Sequence, residues 1–370
     1  MNFDLSEEQK MLGEQIRGLL TERSTPAHLR KLIDAGAEWD EPLWRELASM
    51  GFLGAGIAEH CGGLGMTELD VGVISEELGR ANVALPFFSS LVLAADAIAL
   101  AGSEAQKAAW LPRLASGEVV GTFAYAEGAG GWTGNGLRAT FSDGKVDGRK
   151  SPVADGGIAS LAVVLVRHAD GPALALVDLT GSGVTRDKLD SFDQLRAHYA
   201  LNFDGAAAEL LDDGQGSTID QLFDRAAVQA AFEAVGGAEA CLMMARDYSM
   251  DRQIFGRSLS SYQAIKHKLA DIFVGVELAR SSAYYAAWAA ANSVDELPLA
   301  ASSARLSAIS AFENAARENI QVHGGIGYTF EANCHFYYRR ERTLALSLGG
   351  REPWANRLIA NIPGTQAEAA

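Results

Sequence analysis

The 370-residue sequence predicts an α+β protein of several domains, with a helical N-terminal domain, a middle β domain and a C-terminal helical bundle. Three observations predict this order. Apolar residues recur at helical spacing through residues 1–118. Short apolar or alternating runs, separated by Gly, Asp and Asn, fill residues 119–216 and are typical of strands and turns. Helical spacing then returns in residues 217–370 as long segments with short connections, which favour an antiparallel bundle.

Four segments predict the helices of the N-terminal domain. The first helix begins at "SEEQ", where Ser6 and Gln9 fit a capping box. A second helix covers "PLWRELASM" and ends at Gly51, a residue type that favours helix termination. Helical spacing continues in "TELDVGVISEELGRA" and in "SEAQKAAWLPRLASGE".

Strands and long helices are predicted for the rest of the chain. The strand-like runs are "VVGTFAYA", "ATFSDGKVDGRK", "LAVVLV", "ALALVDL" and "HYALNF". Three long helices follow, which contain "FDRAAVQAAFEAVGGAEACLMMARDY", "SYQAIKHKLADIFVGVELARSSAYYAAWAAAN" and "LAASSARLSAISAFENAARENIQVHGG". We expect a final helix after Pro353.

The composition argues against several classes of function. The formal net charge of −16 is unlike that of a nucleic-acid-binding protein. No apolar stretch is long and charge-free enough to cross a membrane, and the acidic N-terminus does not resemble a secretory signal. Cys61, Cys241 and Cys334 lie far apart, without the spacing of a metal site, and suit a reducing compartment. We therefore expect a globular, cytoplasmic protein with no metal site.

Glu233 is the one charged residue between Ala226 and Ala238. On a helix it lies close to Gly236 and Gly237, and each glycine inside a helix costs about 1 kcal/mol relative to Ala. Either close helix packing or space for a ligand would offset this cost. A solvent-facing Glu on an Ala-rich helix is the alternative. If the face is buried, the carboxylate becomes a stronger base.

Two further segments carry groups that suit a phosphate and a flat ring. In "MDRQIFGRSLSSYQ", Arg252 could hold a phosphate and Phe255 could lie against a ring system. A turn between helices with a surface Arg is the alternative. In "IQVHGGIGYT", Gln321 can form hydrogen bonds, and the two glycines allow close approach of backbone N–H groups, although many helices also end in Gly-Gly.

In family order and over nearly the whole chain, these segments resemble the acyl-CoA dehydrogenase family of flavoproteins. The strongest matches are "RQIFGRSLSSYQAIKHKLAD" and "QVHGGIGYT". Other matches are "LASMGFLGAGIAEHCGGLGM", "AYAEGAGG" and "DGRKSPVADGG". The resemblance implies an N-terminal helical domain, a middle β-barrel or β-sandwich domain and a C-terminal four-helix bundle, in the order read from the pattern above.

The resemblance also implies FAD as the cofactor. Arg252 and Phe255 would meet its pyrophosphate and ring region, and Gln263 belongs to the matching Tyr-Gln pair. Three residues would hold the adenosine end of FAD, typically that of a neighbouring subunit: Gln321, Gly324 and Gly325.

Five residues of the β domain are implied to meet the flavin. Tyr125 and Ala126 would provide backbone contacts, and Pro152, Val153 and Ala154 would lie against the dimethylbenzene or N5 side. The sequence departs from the family here, because Ala126 replaces the usual Thr and Pro-Val-Ala replaces the usual Trp-Ile-Thr. Both changes remove a hydroxyl, so those contacts must come from the backbone or be absent.

The catalytic base is the largest departure from the family. Many members carry it in a Y-E-G-T motif, where this sequence has Gly349 or Gly350. Others carry it early in the first bundle helix, where this sequence has Ala226. Glu233 lies two helical turns later on the same face, as in bacterial dehydrogenases of steroid-side-chain CoA thioesters. We therefore predict Glu233 as the base, with the neighbouring glycines making room for substrate, and Glu352 as the alternative.

The implied reaction is FAD-dependent α,β-dehydrogenation of an acyl-CoA thioester with a steroid or other bulky side chain. Glu233 would remove the α-proton, hydride would pass to flavin N5, and electrons would pass to an electron-transfer flavoprotein. We expect a homo-oligomer or a heterotetramer with a related subunit. Two alternatives stay open: a non-catalytic or half-site partner subunit of a heteromeric dehydrogenase, and an acyl-CoA oxidase.

Overall fold

The structure is a computed structural model that describes residues 5–128, 136–169 and 171–363. Residues 129–131, the end of the "AYAEGAGG" segment, lie outside the described residues. None of the helices in the described ranges is both long and apolar enough to cross a membrane. All three cysteines are buried and in the free thiol form.

The N-terminal region is helical, as predicted. Helix α1 (Glu7–Arg23) begins at the predicted capping box, in which Ser6 Oγ accepts from the backbone N–H of Gln9 and the Gln9 side chain accepts from the N–H of Ser6. Gly51, with a φ of +82°, follows the end of α3 as predicted. The helices after α1 are α2 (Pro26–Asp34), α3 (Glu41–Ser49), α4 (Glu68–Arg80), a π-helix (Phe88–Ala95), α5 (Asp96–Ala101) and α6 (Glu104–Ala115).

Helix α2, the π-helix and α5 were not predicted from the sequence. Pro26 is the first residue of α2, a position that proline favours, so a local signal for this helix was present. The π-helix and α5 form one mostly buried, apolar segment. Such a segment has no polar face, so its sequence does not show the helical period.

The middle of the chain forms a seven-stranded sheet. Its strands are β1 (Gly121–Ala124), β2 (Thr140–Ser142), β3 (Lys145–Ala154), β4 (Leu161–His168), β5 (Gly171–Asp178), β6 (Val184–Leu189) and β7 (His198–Gln215). Their order is β1-β4-β2-β3-β7-β5, with β6 beside β7. Because β4 also pairs with β5, the pairings form a closed ring, which corresponds to the predicted barrel.

Burial explains which strands the sequence could predict. Strands β4 and β5 are buried on both faces over most of their length, and they therefore appear as continuous apolar runs. Strand β6, "VTRDKL", has no buried residue and was not predicted, since it shows no apolar pattern.

The C-terminal region contains the three predicted long helices, α7 (Ser217–Asp251), α8 (Gln263–Asn292) and α9 (Leu297–His323). A hairpin of β8 (Gln253–Ile254) and β9 (Arg257–Ser258) connects α7 to α8. Two shorter helices follow, α10 (Cys334–Leu346) and α11 (Arg351–Ala360). The final helix was expected after Pro353 but begins two residues earlier, because proline is tolerated in the first turn of a helix.

The chain folds into two compact units. The first contains the described residues of Met1–Leu29, Glu68–Val83 and Ala227–Ala370, and the second contains those of Arg30–Thr67 and Ala84–Ala226. The division into domains 1–118, 119–216 and 217–370 stays a prediction.

Candidate active site

Glu233 is buried in α7, with an exposure of 6%. Its Oε1 lies 3.2 Å from Nη1 of Arg340, which projects from α10 and is itself 1% exposed. Arg340 Nη2 also donates to the carbonyl oxygen of Val83 at 2.9 Å. The solvent-facing alternative for Glu233 is therefore wrong. The carboxylate forms a buried ion pair with an arginine that was not predicted from the sequence.

The glycines beside Glu233 serve helix packing. A Cβ on Gly236 would lie 1.8 Å from the carbonyl oxygen of Glu76 in α4, and a Cβ on Gly237 would lie 2.4 Å from the ring of Phe312 in α9. Only glycine allows such close approach. The prediction that these two residues make room for substrate is wrong, because protein atoms already fill that space.

Helices α4 and α7 also meet at Glu233 and Gln229, which precede Gly236 in α7. A Cβ on Gly79 of α4 would lie 2.0 Å from the carbonyl oxygen of Glu233. One turn earlier in α7, the side chain of Gln229 accepts a hydrogen bond from Ser75 Oγ of α4 at 2.9 Å. These contacts fix the part of α7 that carries Glu233 against α4.

Glu352, the alternative base, lies in the first turn of α11 and is exposed. The preceding turn includes Gly349, with a φ of +78°, and Gly350, the N-cap of α11. Of the two candidate bases, Glu233 is the one that is removed from solvent.

The two β-domain segments predicted to meet the flavin are adjacent. Tyr125 and Ala126 directly follow β1, and Pro152, Val153 and Ala154 end β3. The N–H of Ser151 donates to the carbonyl oxygen of Ala126 at 2.7 Å. Thr122 Oγ1 donates to the carbonyl oxygen of Ala154 at 2.6 Å. The ends of β1 and β3 are thus joined by hydrogen bonds at two points.

The side chains of these two segments differ in their packing and their exposure to solvent. The ring of Tyr125 stacks on Phe123 at a centroid distance of 5.8 Å and meets Phe223 edge-on at 5.4 Å. Val153 is 1% exposed, whereas Pro152 is exposed. The ring of Tyr125 is therefore packed against other aromatic rings. A contact of Tyr125 with a ligand would come from its backbone atoms, as predicted.

The hairpin between α7 and α8 brings Arg252, Phe255 and Gln263 into one short segment. Phe255 and Gly256 form its turn with φ values of +50° and +76°, the positive pair that a type I′ turn requires. Phe255 is 94% exposed, and both Arg252 and Gln263 are exposed. A bulky residue rarely adopts positive φ, and such strain is typical of functional sites. An exposed phenylalanine at this position therefore favours a ligand-binding role.

The end of α9 gathers the three residues predicted for the adenosine. Gln321 is exposed in the last turn, and Gly324 has a φ of +67°. A Cβ on Gly324 or Gly325 would meet no atom within 4 Å. Packing therefore does not require glycine here, unlike at position 236, and the backbone is open to approach.

These groups fit the chemistry of FAD. An exposed guanidinium suits the pyrophosphate, an exposed aromatic ring suits a flat ring system, and an open Gly-Gly backbone suits the adenosine end. The joined ends of β1 and β3 are the segments predicted to provide backbone contacts to the flavin. Their assignment as FAD ligands remains a prediction.

Two models of known protein families match the chain. The model described as "Acyl-CoA dehydrogenase, N-terminal domain" matches residues 6–118. The model described as "Acyl-CoA dehydrogenase, C-terminal domain" matches residues 212–361.

Individual relatives are similar over nearly the whole chain. Acyl-CoA dehydrogenase IpdE2 of Mycobacterium tuberculosis is 30% identical over 357 residues, which are 96% of this chain and 98% of that protein. A Tcur3481–Tcur3483 steroid ACAD variant is 30% identical with a TM-score of 0.88, covering 95% of this chain and 96% of that one. The ChsE4–ChsE5 complex of M. tuberculosis is 26% identical with a TM-score of 0.89, covering 97% and 98%.

These matches confirm the family resemblance predicted from the sequence, including its similarity to the steroid branch. They also confirm the predicted fold class. The chain therefore belongs to the acyl-CoA dehydrogenase family of flavin-dependent oxidoreductases.

Proposed function

We propose that the chain catalyses α,β-dehydrogenation of an acyl-CoA thioester, with Glu233 as the base and an electron-transfer flavoprotein as the electron acceptor. The buried carboxylate of Glu233 carries this proposal. The sequence offers two candidate bases, Glu233 and Glu352, and of these two only Glu233 is removed from solvent. FAD, when bound, would supply the acceptor for the hydride that leaves the β-carbon.

The surroundings of Glu233 define what it would do. The Glu233 side chain is 7% exposed, and the guanidinium of Arg340 orients its carboxylate and balances its negative charge. A site without bulk water strengthens the electrostatic interactions on which proton removal from carbon depends. Since α4 and Phe312 fill the space beside Gly236 and Gly237, the thioester must reach the carboxylate from another side of α7.

The proposed substrate carries a steroid or other bulky acyl side chain. The two glycines no longer support this part, because they serve packing. Its support is the similarity to a solved steroid ACAD variant at 30% identity. A panel that compares straight-chain with sterol-side-chain thioesters tests it directly.

A half-site partner subunit is the second candidate function, and the ion pair of Glu233 favours it. The carboxylate of Glu233 is already bound by a buried guanidinium, and the helices beside it are tightly packed. This arrangement also fits an ion pair with a purely structural role. Two of the solved structures that the chain resembles pair differently named chains, Tcur3481 with Tcur3483 and ChsE4 with ChsE5. In this case the partner would supply the base.

The two functions can be separated with the purified chain, tested alone and together with a related subunit. Flavin absorbance and anaerobic dye reduction by acyl-CoA are measured for the wild type and for Glu233→Gln, Glu352→Gln and Asp247→Asn. Asp247 is an exposed carboxylate on the same helix and is the matched control. We expect the chain to reduce dye and Glu233→Gln alone to abolish this reduction.

Other outcomes identify a different function or base. Activity that needs the second subunit and survives Glu233→Gln would establish the partner-subunit role. Loss of activity in Glu352→Gln alone would assign the base to α11.

A further inference from the structure

We propose that Lys150 and Glu127 are positioning residues for the flavin, because their ion pair holds the end of β1 against the end of β3. This inference rests on the proposed function, in which these strand ends meet FAD. No role for these two charged residues was predicted from the sequence.

Lys150 is a fully buried ammonium group, with an exposure of 0%. Its Nζ donates to Glu127 Oε1 at 2.6 Å and to the carbonyl oxygen of Tyr125 at 3.4 Å. Burial lowers the pKa of Lys150 below its ordinary value, although Glu127 opposes this shift. Apolar residues of similar size stabilise a protein interior as well as a buried ion pair does. Stability alone therefore does not explain a lysine at this position.

Glu127 connects this ammonium group to a second stretch of backbone. Its Oε2 accepts from the N–H of Arg138 at 2.8 Å, and its Oε1 accepts from the N–H of Ala139 at 3.0 Å. Burial opposes ionisation of Glu127, but Lys150 and the two backbone amides outweigh it and hold the pKa of the carboxyl below its usual value. One carboxylate thus fixes residues 127 and 138–139 beside Lys150.

The position of the backbone matters here because the side chains cannot supply the flavin contacts. Ala126 and Ala154 have no hydroxyl, so hydrogen bonds from these positions must come from the main chain. Lys150 directly precedes Ser151, whose N–H donates to the carbonyl oxygen of Ala126 at 2.7 Å, and Glu127 directly follows Ala126. The ion pair therefore supports the hydrogen bond that joins the two flavin-facing segments.

The experiment uses the full chain, with its partner subunit if FAD binding requires one. Lys150→Met, Glu127→Gln and the double variant are compared with Lys145→Met, a matched control that removes an exposed lysine from the same strand. The readouts are the dissociation constant for FAD, the visible spectrum of bound flavin, and urea unfolding of the flavin-free chain. None of these requires turnover.

We expect each single variant to weaken FAD binding by roughly 10-fold, the loss expected when one hydrogen bond to a bound group is weakened. The double variant should bind FAD no more weakly than the singles, because the pair acts as a unit. Lys145→Met should match the wild type. If Lys150→Met does not fold, Glu127→Gln carries the test, because its amide oxygen still accepts from one of the two backbone N–H groups that Glu127 binds.

Two results would overturn the inference, and they are distinguishable. If the wild type does not bind FAD, the proposed function fails and this inference fails with it. If the variants bind FAD as tightly as the wild type and lose only stability in the flavin-free state, the pair is purely structural while the proposed function stands.

Discussion

Replacement of Arg340 by methionine tests the buried ion pair of the candidate site. Methionine replaces much of the aliphatic stem but leaves the Glu233 side chain, 7% exposed, without its guanidinium. Removing one partner of a buried pair costs about 3–5 kcal/mol. The variant also removes the donor to the carbonyl oxygen of Val83, whose unmet bond costs about 1–3 kcal/mol. We therefore expect the free energy of unfolding to fall by at least about 3 kcal/mol.

Urea unfolding of the flavin-free chain measures this effect, provided that the dependence on denaturant is the same for each variant. Arg246→Met is the matched control on α7, the helix that carries Glu233, because Arg246 is 51% exposed and its ion pair with the exposed Asp247 should contribute about 0–1 kcal/mol. Arg340→Met combined with Glu233→Gln removes both charges and should be more stable than Arg340→Met alone. A loss below about 1 kcal/mol in Arg340→Met, or strict additivity in the double variant, would refute the reasoning.

Helix packing, burial and strand-end hydrogen bonding each give one further expected outcome. Gly236→Ala should lower the free energy of unfolding by about 1–3 kcal/mol or more, because the added Cβ would lie 1.8 Å from a backbone oxygen of α4. Gly325→Ala, whose Cβ would meet no atom within 4 Å, should change it little. Thermal unfolding of both variants tests this difference. Burial raises the pKa of Glu341 from 4.5 to about 7. The unfolded chain therefore releases this proton first, and the stabilisation, complete below the unfolded pKa, is lost as the pH rises through the folded pKa. Glu341→Gln should consequently have a free energy of unfolding about 1–3 kcal/mol higher than that of the wild type at pH 8, but not at low pH. The same pH dependence of urea unfolding in both proteins would disprove this. Thr122→Val removes the 2.6 Å bond to Ala154 and should cost about 1 kcal/mol as well as weakening FAD binding; an unchanged FAD titration would contradict the latter.

Elements whose apolar residues recur at a regular spacing could be predicted from the sequence, and several elements without such a spacing could not. The capping box at Ser6 and the three long helices depend on local spacing, which the sequence displays. Helix α10 buries Arg340 and Glu341 among its inward-facing residues, so its apolar period is broken and it was missed. Arg340, which interrupts the apolar period of α10, is also the ion-pair partner of Glu233.

The candidate site was predictable in part for the same reason. The absence of other charges around Glu233 is a local property, but it left burial and a solvent-facing Glu on an Ala-rich helix as alternatives, and the structure decides for burial. Its partner lies 107 residues away, and no local signal marks an ion pair between two helices. The role of Gly236 required the structure as well, because helix packing and ligand space predict the same residue and only the position of α4 separates them.

Rapid anaerobic mixing of the FAD-loaded chain with an acyl-CoA, followed by flavin absorbance, tests the role of Glu233 most directly. The wild type and Asp247→Asn should bleach the flavin at the same rate, and Glu233→Gln should bleach it slower by roughly 100-fold or more, the contribution expected of a general base. Bleaching of the Glu233→Gln variant at the wild-type rate would contradict the assignment of Glu233 as the base.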